Sequence, residues 1–262
     1  MDIQGKIVVI TGAASGIGKA MAERFHKGGA AGLVLADLNG EGAKATATDV
    51  GGLGLACDVS KEADVAAVVK AAEEKYGRID LFCSNAGIAT RDADMENAAS
   101  SPNDLWERDW GVNVMAHVYA ARHAMPGMVA QGGGWFMNTV SAAGLLSQIG
   151  SAIYSTTKHA AVGFAESLAI THRNQGIGVS ILCPQAVDTP MLGGARGSQS
   201  VDGVMSPQEV AEAVVAGLAA ETFLILPHPQ VVEYMQRKSG DYDRWLRGMV
   251  RLRQSVIDGS RG

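Results

Sequence analysis

The sequence contains no apolar run long enough to span a bilayer. Its first residues, MDIQGKIVVITG, enter a strand-like run without the basic and apolar regions of a signal peptide. These two absences predict a cytoplasmic protein with no integral membrane association. Cysteine is scarce: Cys57, Cys83 and Cys183 are odd in number, show no CxxC spacing and close apolar runs, so they are expected as buried thiols rather than disulfide partners or metal ligands. The six histidines show no HExxH or related spacing, so no metal is expected, and His159 reads as a helix-surface residue. Excess positive charge is also missing. A net charge of −5 and a pI near 5.7 give no reason to expect a nucleic-acid or anionic-membrane partner. No proline- or glycine-rich linker and no repeat divides the 262 residues, which predicts a single domain over 1–262. With 47% hydrophobic residues against 19% charged ones, that domain has material for a sizeable core.

What is present is alternation. Short β-type runs at 6–12, 32–37, 53–59, 79–87, 134–141, 178–184 and 222–227 are separated by stretches of helical period. Residues 15–29 and 62–77 read as helices, the second stopping at Gly77, and 103–133 reads as a long helix bent near Gly111 and kinked or weakened by Pro126. Ser206-Pro207 opens another helix over 206–220. Strands apolar on both faces, alternating with helices, predict an α/β fold: a single Rossmann-type, doubly wound parallel sheet of about seven strands with helices on both faces. The interval 186–205, rich in glycine and serine, is expected to be a substrate lid, with a plain loop as the alternative. Residues 228–262 form a C-terminal helical extension, in which Tyr242, Trp245, Leu246, Met249, Leu252 and Val256 have helical spacing beside Arg244, Arg247, Arg251 and Arg253. It is expected to pack on the enzyme or at a subunit interface; a basic membrane-surface helix is the lesser alternative, opposed by Asp241 and Asp243.

The first strand passes to the first helix through Thr11-Gly12-Ala13-Ala14-Ser15-Gly16-Ile17-Gly18. Glycines allow a tight turn with close backbone approach, and the helix N-terminus supplies partial positive charge for a pyrophosphate. Asp37 ends the second strand, 19 residues after Gly18, where a carboxylate can accept hydrogen bonds from an adenosine ribose. It would repel a 2′-phosphate, and Leu38 offers no cation, so NAD is expected over NADP. Asp58 and Val59 would lie against the adenine if the strand order reverses at the first strand; a helix-capping role for Asp58 or Ser60 fits equally well.

Tyr154 and Lys158 share a helix face, and a cation beside a phenol favours its ionised form. Tyr234 and Lys238 repeat the spacing. The surrounding motifs separate the two pairs, because the chain resembles a classical short-chain dehydrogenase/reductase over roughly residues 5–227. TGAASGIG (11–18) matches that family's TGxxxGxG. Ser84-Asn85-Ala86-Gly87 matches its NNAG with serine for the first asparagine, which should be mild if Asn85 and Gly87 hold the turn. Asn113 falls at the helix asparagine, and Ser141 lies 13 residues before the tyrosine of Tyr154-Ser155-Thr156-Thr157-Lys158, the YxxxK. Thirteen residues before Tyr234 stands Glu221, so the second pair is expected to be an ordinary helix-face pair. The family's Pro-Gly is here Pro184-Gln185, and Gln185 is expected either to shape the pocket or to point away; Val187 and Thr189 fit the segment that similar enzymes hold against the nicotinamide.

The resemblance implies hydride exchange between nicotinamide and a carbon bearing oxygen. Tyr154 would act as acid or base, Lys158 would lower its pKa and bind the ribose, Ser141 would hold the substrate oxygen, and Asn113 would hold a relay water. It also implies a homo-oligomer, dimer or tetramer. The expected substrate is a small molecule, a bulky apolar secondary alcohol or ketone such as a hydroxysteroid, met by Leu145, Leu146, Gln148, Gln185, Met191 and Leu192, with segment 89–98. The alternatives are a 3-oxoacyl-thioester reductase and a non-catalytic NAD(H)-sensing protein.

Overall fold

The structure, a computed structural model, describes residues 1–193 and 198–258. In chain order its elements begin β1 (Ile7–Thr11), α1 (Gly16–Lys27), β2 (Gly32–Asp37), α2 (Gly40–Asp49), β3 (Leu53–Ala56), α3 (Glu62–Tyr76) and β4 (Leu81–Ser84). They continue as α4 (Asn103–Trp110), α5 (Ala116–Ala130), β5 (Gly134–Thr139), α6 (Ala143–Leu146), α7 (Ala152–His172), β6 (Ile177–Leu182), α8 (Pro207–Ala219), β7 (Leu224–Ile225), α9 (Gln230–Gly240) and α10 (Tyr242–Ile257).

The seven strands form one parallel sheet in the order β3-β2-β1-β4-β5-β6-β7. Because β1 and β4 carry side chains buried at every position, both sheet faces must be covered. One face packs under α1, α2 and α8 through Met21, Phe25, Ala47, Val210 and Val214; the other packs under α3, α5 and α7 through Val65, Val69, Ala120, Met128, Ala161 and Ala165. The order reverses between β1 and β4. Crossovers leaving that point in opposite directions open a crevice at the strand C-termini, where α/β sheets bind ligands.

The helix signals act as the residues dictate. Ser206 and Glu209 form a reciprocal capping box with Pro207 in the first turn of α8, and α3 stops at Gly77 with φ 76°. The bend near Gly111 is a π-helical turn over Gly111–Met115 between α4 and α5, whereas Pro126 sits inside α5 and the chain stays helical to Ala130. Two helices have no apolar period to announce them. α2 buries only Ala43, Thr46 and Ala47, and α6 is a single turn. The strands are also shorter than their apolar runs: β3 ends at Ala56 and β7 pairs over only two residues. Just beyond their ends, Cys57 N still donates to Asp37 O at 2.8 Å and Phe223 O accepts from Ile181 N at 2.6 Å.

Of the interval 186–205, residues 194–197 lie outside the described residues, as do 259–262 of the C-terminal extension. The described ends of the interval are pinned rather than free: Met205 N donates to Ala186 O at 3.1 Å, Asp188 N to Met205 O at 2.9 Å and Ala186 N to Gln199 O at 3.1 Å. Among the described residues no helix is long and apolar enough to cross a membrane, and no cluster of three potential metal ligands occurs.

Candidate active site

A single cleft of about 2040 Å³ runs along the strand C-termini. Its nucleotide end is made by the first crossover. Gly12 has φ +68°, and a Cβ there would come within 2.9 Å of the Ala86 Cα; at Gly18 a Cβ would stand 2.1 Å from the Gly12 carbonyl oxygen. Only hydrogen fits at either position, so the turn, α1 and the loop after β4 close on one another. The first turn of α1 has no side-chain cap and no acidic residue, which leaves its N–H donors for an anion in the cleft. Gly12, Ser15, Gly16, Ile17, Asp37, Asp58, Val59, Asn85, Ala86 and Gly87 all line this end, while Gly18 is buried behind it as a packing residue.

Asp37 accepts from Ala14 N at 3.0 Å and Asn39 N at 2.9 Å, which fixes its carboxylate facing the cleft. Asp58 lines the cleft and also accepts from Ser60 N and Oγ, so wall and turn-capping roles coexist; the Ser60 bonds hold its carboxyl below the usual range. Asn85 stitches the turn. Its Nδ2 donates to Thr11 O at 3.0 Å and its Oδ1 accepts from Thr139 Oγ1 at 2.9 Å. The Ser84 hydroxyl is held by buried His117 Nδ1 at 2.8 Å, so this serine turns away from the cleft into the core.

At mid-cleft, Ser141, Tyr154 and Lys158 converge from the loop after β5 and the first turns of α7. Ser141 Oγ donates to Pro184 O at 3.4 Å and accepts from Ala143 N at 3.1 Å, which fixes the hydroxyl in the cleft wall that it shares with Tyr154. Lys158 Nζ is buried and donates to Thr139 O at 3.0 Å. The expected lowering of the Tyr154 pKa does not hold in this arrangement. Lys158 Nζ lies over the phenol ring face, 5.6 Å from its centroid, and burial pushes the phenol up against the opposing pull of Ser141. Desolvation acts on the lysine as well, bringing it down to about 8.

Asn113 sits in the π-turn, fully buried and outside the cleft lining. Its Oδ1 accepts from Ile88 N at 3.0 Å, and its Nδ2 donates to Ile88 O at 2.9 Å and Thr157 Oγ1 at 3.1 Å. Both amide hydrogens are therefore used on protein groups. The side chain fixes the strand exit beside Gly87, where a Cβ would be 3.3 Å from Asn113 Oδ1 and 3.4 Å from Lys158 Nζ.

On the substrate side Leu146, Gln148, Gln185, Met191 and Leu192 line the cleft together with Pro184, Val187 and Thr189. Leu145 does not. It packs between the main core and a satellite cluster around Ala142, Leu146 and Val231, because the single turn of α6 sends successive side chains to different sides. Gln148 Nε2 donates to Ser198 Oγ at 2.9 Å and Gln199 Oε1 at 3.0 Å, which ties the end of the 186–205 interval to the loop after α6. Gln185 reaches the cleft, and its Oε1 is buried without a hydrogen-bond partner in the protein.

Two features go beyond the sequence reading. The first is α10, whose Trp245, Met249, Leu252 and Val256 line the substrate end, so the extension walls the pocket as well as packing on the enzyme. Arg253 anchors it through Glu96 at 3.0 Å and Met95 O at 2.5 Å. Such a partly exposed pair contributes at most about 1 kcal/mol, and no residue of α10 is fully buried, Trp245 packing partly buried against the satellite cluster. The second is Tyr234 and Lys238, which are no mere surface pair. Tyr234 donates to Asp202 at 3.0 Å and Lys238 Nζ to Leu145 O at 2.6 Å, so α9 clasps both the 186–205 interval and α6.

Comparison with known proteins agrees with this architecture. The family model described as short chain dehydrogenase matches residues 6–199. Human epidermal retinol dehydrogenase 2 is 32% identical over 244 residues, covering 89% of this chain and 77% of that protein. A short chain dehydrogenase/reductase from Burkholderia phymatum, solved in complex with NAD, superposes with a TM-score of 0.82 at 32% identity, covering 93% of this chain and 96% of the other. The 3-ketoacyl-(acyl-carrier-protein) reductase of Brucella melitensis, solved with NADH, gives 0.78 at 33% identity over 86% of this chain and 96% of that one. The chain belongs to the short-chain dehydrogenase family.

Proposed function

We propose that this protein is an NAD(H)-dependent oxidoreductase that interconverts a secondary alcohol and a ketone on a bulky, mainly apolar substrate. The observation that carries the reading is the convergence of Ser141, Tyr154 and Lys158 in one cleft, between a glycine-built anion cradle and an apolar pocket. The residues present fit a dinucleotide: an uncapped, acid-free helix N-terminus faces the cleft, and the Asp37 carboxylate lies beyond it. NAD is favoured over NADP because Asp37 would repel a 2′-phosphate and exposed Leu38 offers no compensating cation. When bound, the nicotinamide supplies hydride acceptance and donation.

The proton and the orientation belong to the chain. Tyr154 takes the hydroxyl proton in oxidation and returns it in reduction. Ser141 Oγ, already fixed by Ala143 N, holds the substrate oxygen and stabilises charge developing on it. Lys158, its Nζ donating to Thr139 O, brings a positive charge to mid-cleft below about pH 8, where it would meet the nicotinamide ribose. Asn113 is a positioning residue for the Gly87–Ile88 wall. The apolar lining, Leu146, Met191, Leu192 and Val256, suits a bulky hydrocarbon body, and a retinol dehydrogenase stands among the relatives.

The test is a panel of steroid, aryl and aliphatic alcohols and ketones read by NADH absorbance. Tyr154→Phe should lower kcat by about 10²–10⁴-fold while NADH binding, followed by fluorescence, stays within threefold. A variant that keeps a tenth of wild-type turnover would refute the assignment of Tyr154. The same assay with NADPH should show kcat/KM at least about tenfold lower. No wild-type turnover on any substrate would favour a nucleotide-sensing protein.

A further inference from the structure

The charge of the cleft is divided in a way that the chain's net charge of −5 does not suggest. Its nucleotide end carries two acids, Asp37 and Asp58. Its substrate end is lined by Arg91, Arg108, Arg237, Arg244 and Arg251 against one acid, Asp241, which is engaged in capping α10 by accepting from Arg244 N at 2.9 Å. Two of the five arginines have nearby acids of their own: Arg108 pairs with Asp109 at 2.9 Å, and Arg237 pairs with Glu233. Among the described residues, Arg91, Arg244 and Arg251 make no ion pair or side-chain hydrogen bond.

Their placement on α10 is ordered. Arg244 and Arg251 are seven residues apart and so occupy one row of the helix, with Gly248 between them; a Cβ at Gly248 would lie 3.9 Å from Arg251 Nη2, so that guanidinium folds back along the row. Beside it runs the apolar row Trp245, Met249, Leu252 and Val256, and both rows line the cleft. One helix thus presents an apolar strip and a parallel cationic strip to the same space. Arg91, Arg244 and Arg251 are exposed on the lining of the cleft and keep their guanidinium donors unpaired among the described residues, and a planar fork suits a carboxylate or phosphate.

We propose that the substrate is an apolar alcohol or ketone bearing an anionic group, held at the mouth by Arg244 and Arg251 of α10 with Arg91 opposite. This rests on the alcohol–ketone reading for which end of the cleft is the substrate end. The anion has two sources: a carboxylate on the substrate itself, or the phosphate of a phosphopantetheine thioester.

The experiment is calorimetric binding with NADH saturating, at low ionic strength, using two matched pairs. One is a hydroxycholanoic acid against its methyl ester; the other is a 3-hydroxyacyl 4′-phosphopantetheine thioester against the unphosphorylated pantetheine thioester. At least one charged member should bind wild type about tenfold or more tightly than its neutral partner, and the pair that responds identifies the source. The preference should shrink below about threefold in Arg244→Gln/Arg251→Gln, with the neutral members little changed, and should fade in about 0.5 M salt. Equal binding within both pairs, no binding of any member, or a preference that survives the double substitution overturns the proposal. Binding is read without turnover, so a wild-type protein that prefers the charged ligand but turns over no substrate would sink the oxidoreductase reading while keeping the arginines of α10 as an anion site.

Discussion

At its nucleotide end the cleft is walled by main chain at the ends of β1, β2 and β4, with glycines where side chains would collide and Asn85 and Thr11 stitching one loop to the next. At its substrate end the wall is side chains from α6, α9, α10 and the 186–205 interval, joined by surface pairs and single hydrogen bonds such as Tyr234–Asp202 and Lys238–Leu145 O. The first construction leaves no room to vary, because a Cβ added at Gly12 or Gly18 would meet main chain. The second tolerates substitution because each tie is weak, so specificity can be built there without disturbing the nucleotide turn.

The sharpest way to break the comparison is at Gly18. In Gly18→Ala the new Cβ would meet the Gly12 carbonyl at 2.1 Å, and backbone rather than a flexible side chain must yield. NADH affinity should fall by at least about tenfold and stability by roughly 1–3 kcal/mol, checked by fluorescence titration and thermal melting. An unperturbed variant would mean that the nucleotide end is as plastic as the substrate end. Truncation after Gly240 removes α10 and should do the reverse. KM for the best substrate should rise about tenfold or more while NADH binding stays within about threefold, since the apolar and arginine rows of the substrate wall are lost and the glycine turn is untouched. Equal loss of both would show that the two ends are one cooperative unit. The smallest effect is expected for Lys238→Met, which keeps the stem but removes the donor to Leu145 O at 2.6 Å. Loss of one such bond costs about 1 kcal/mol, so KM should rise a few-fold with kcat nearly unchanged in steady-state kinetics. A kcat effect larger than the KM effect would instead connect α9 to Ser141 geometry.

Most of the nucleotide end was legible in the residues because its constraints are local. A glycine that must lack a Cβ, an acid at a strand end and a serine thirteen residues before a tyrosine all leave marks at fixed spacing. The sheet, its parallel sense and the helices other than α2 and α6 follow from apolar period for the same reason. Among the missed elements α2 was invisible because its glycines and threonines carry little apolar contrast, and α6 because four residues show no period. Leu145 and Leu146 are equally apolar neighbours; which one meets the cleft depends on the phase of a single helical turn. The Tyr154 pKa direction went the other way from the i,i+4 argument because shared helix face does not specify whether an ammonium meets the hydroxyl or the ring, and desolvation outweighs a cation held over the ring.

The residues that meet at mid-cleft were named by the family resemblance, and the reversal point by the structure; by itself the sequence determined the parallel sheet and the anion cradle. Each of these depends on backbone geometry, and backbone geometry is written in glycines, strand runs and helix phase. Only the tertiary structure decided that the arginine-rich C-terminal helix turns its Trp245–Val256 row inward over the substrate pocket, and that Tyr234 and Lys238 serve as a clasp. An amphipathic helix records that it has an apolar face, but the surface that face covers is chosen by packing between elements distant in the chain.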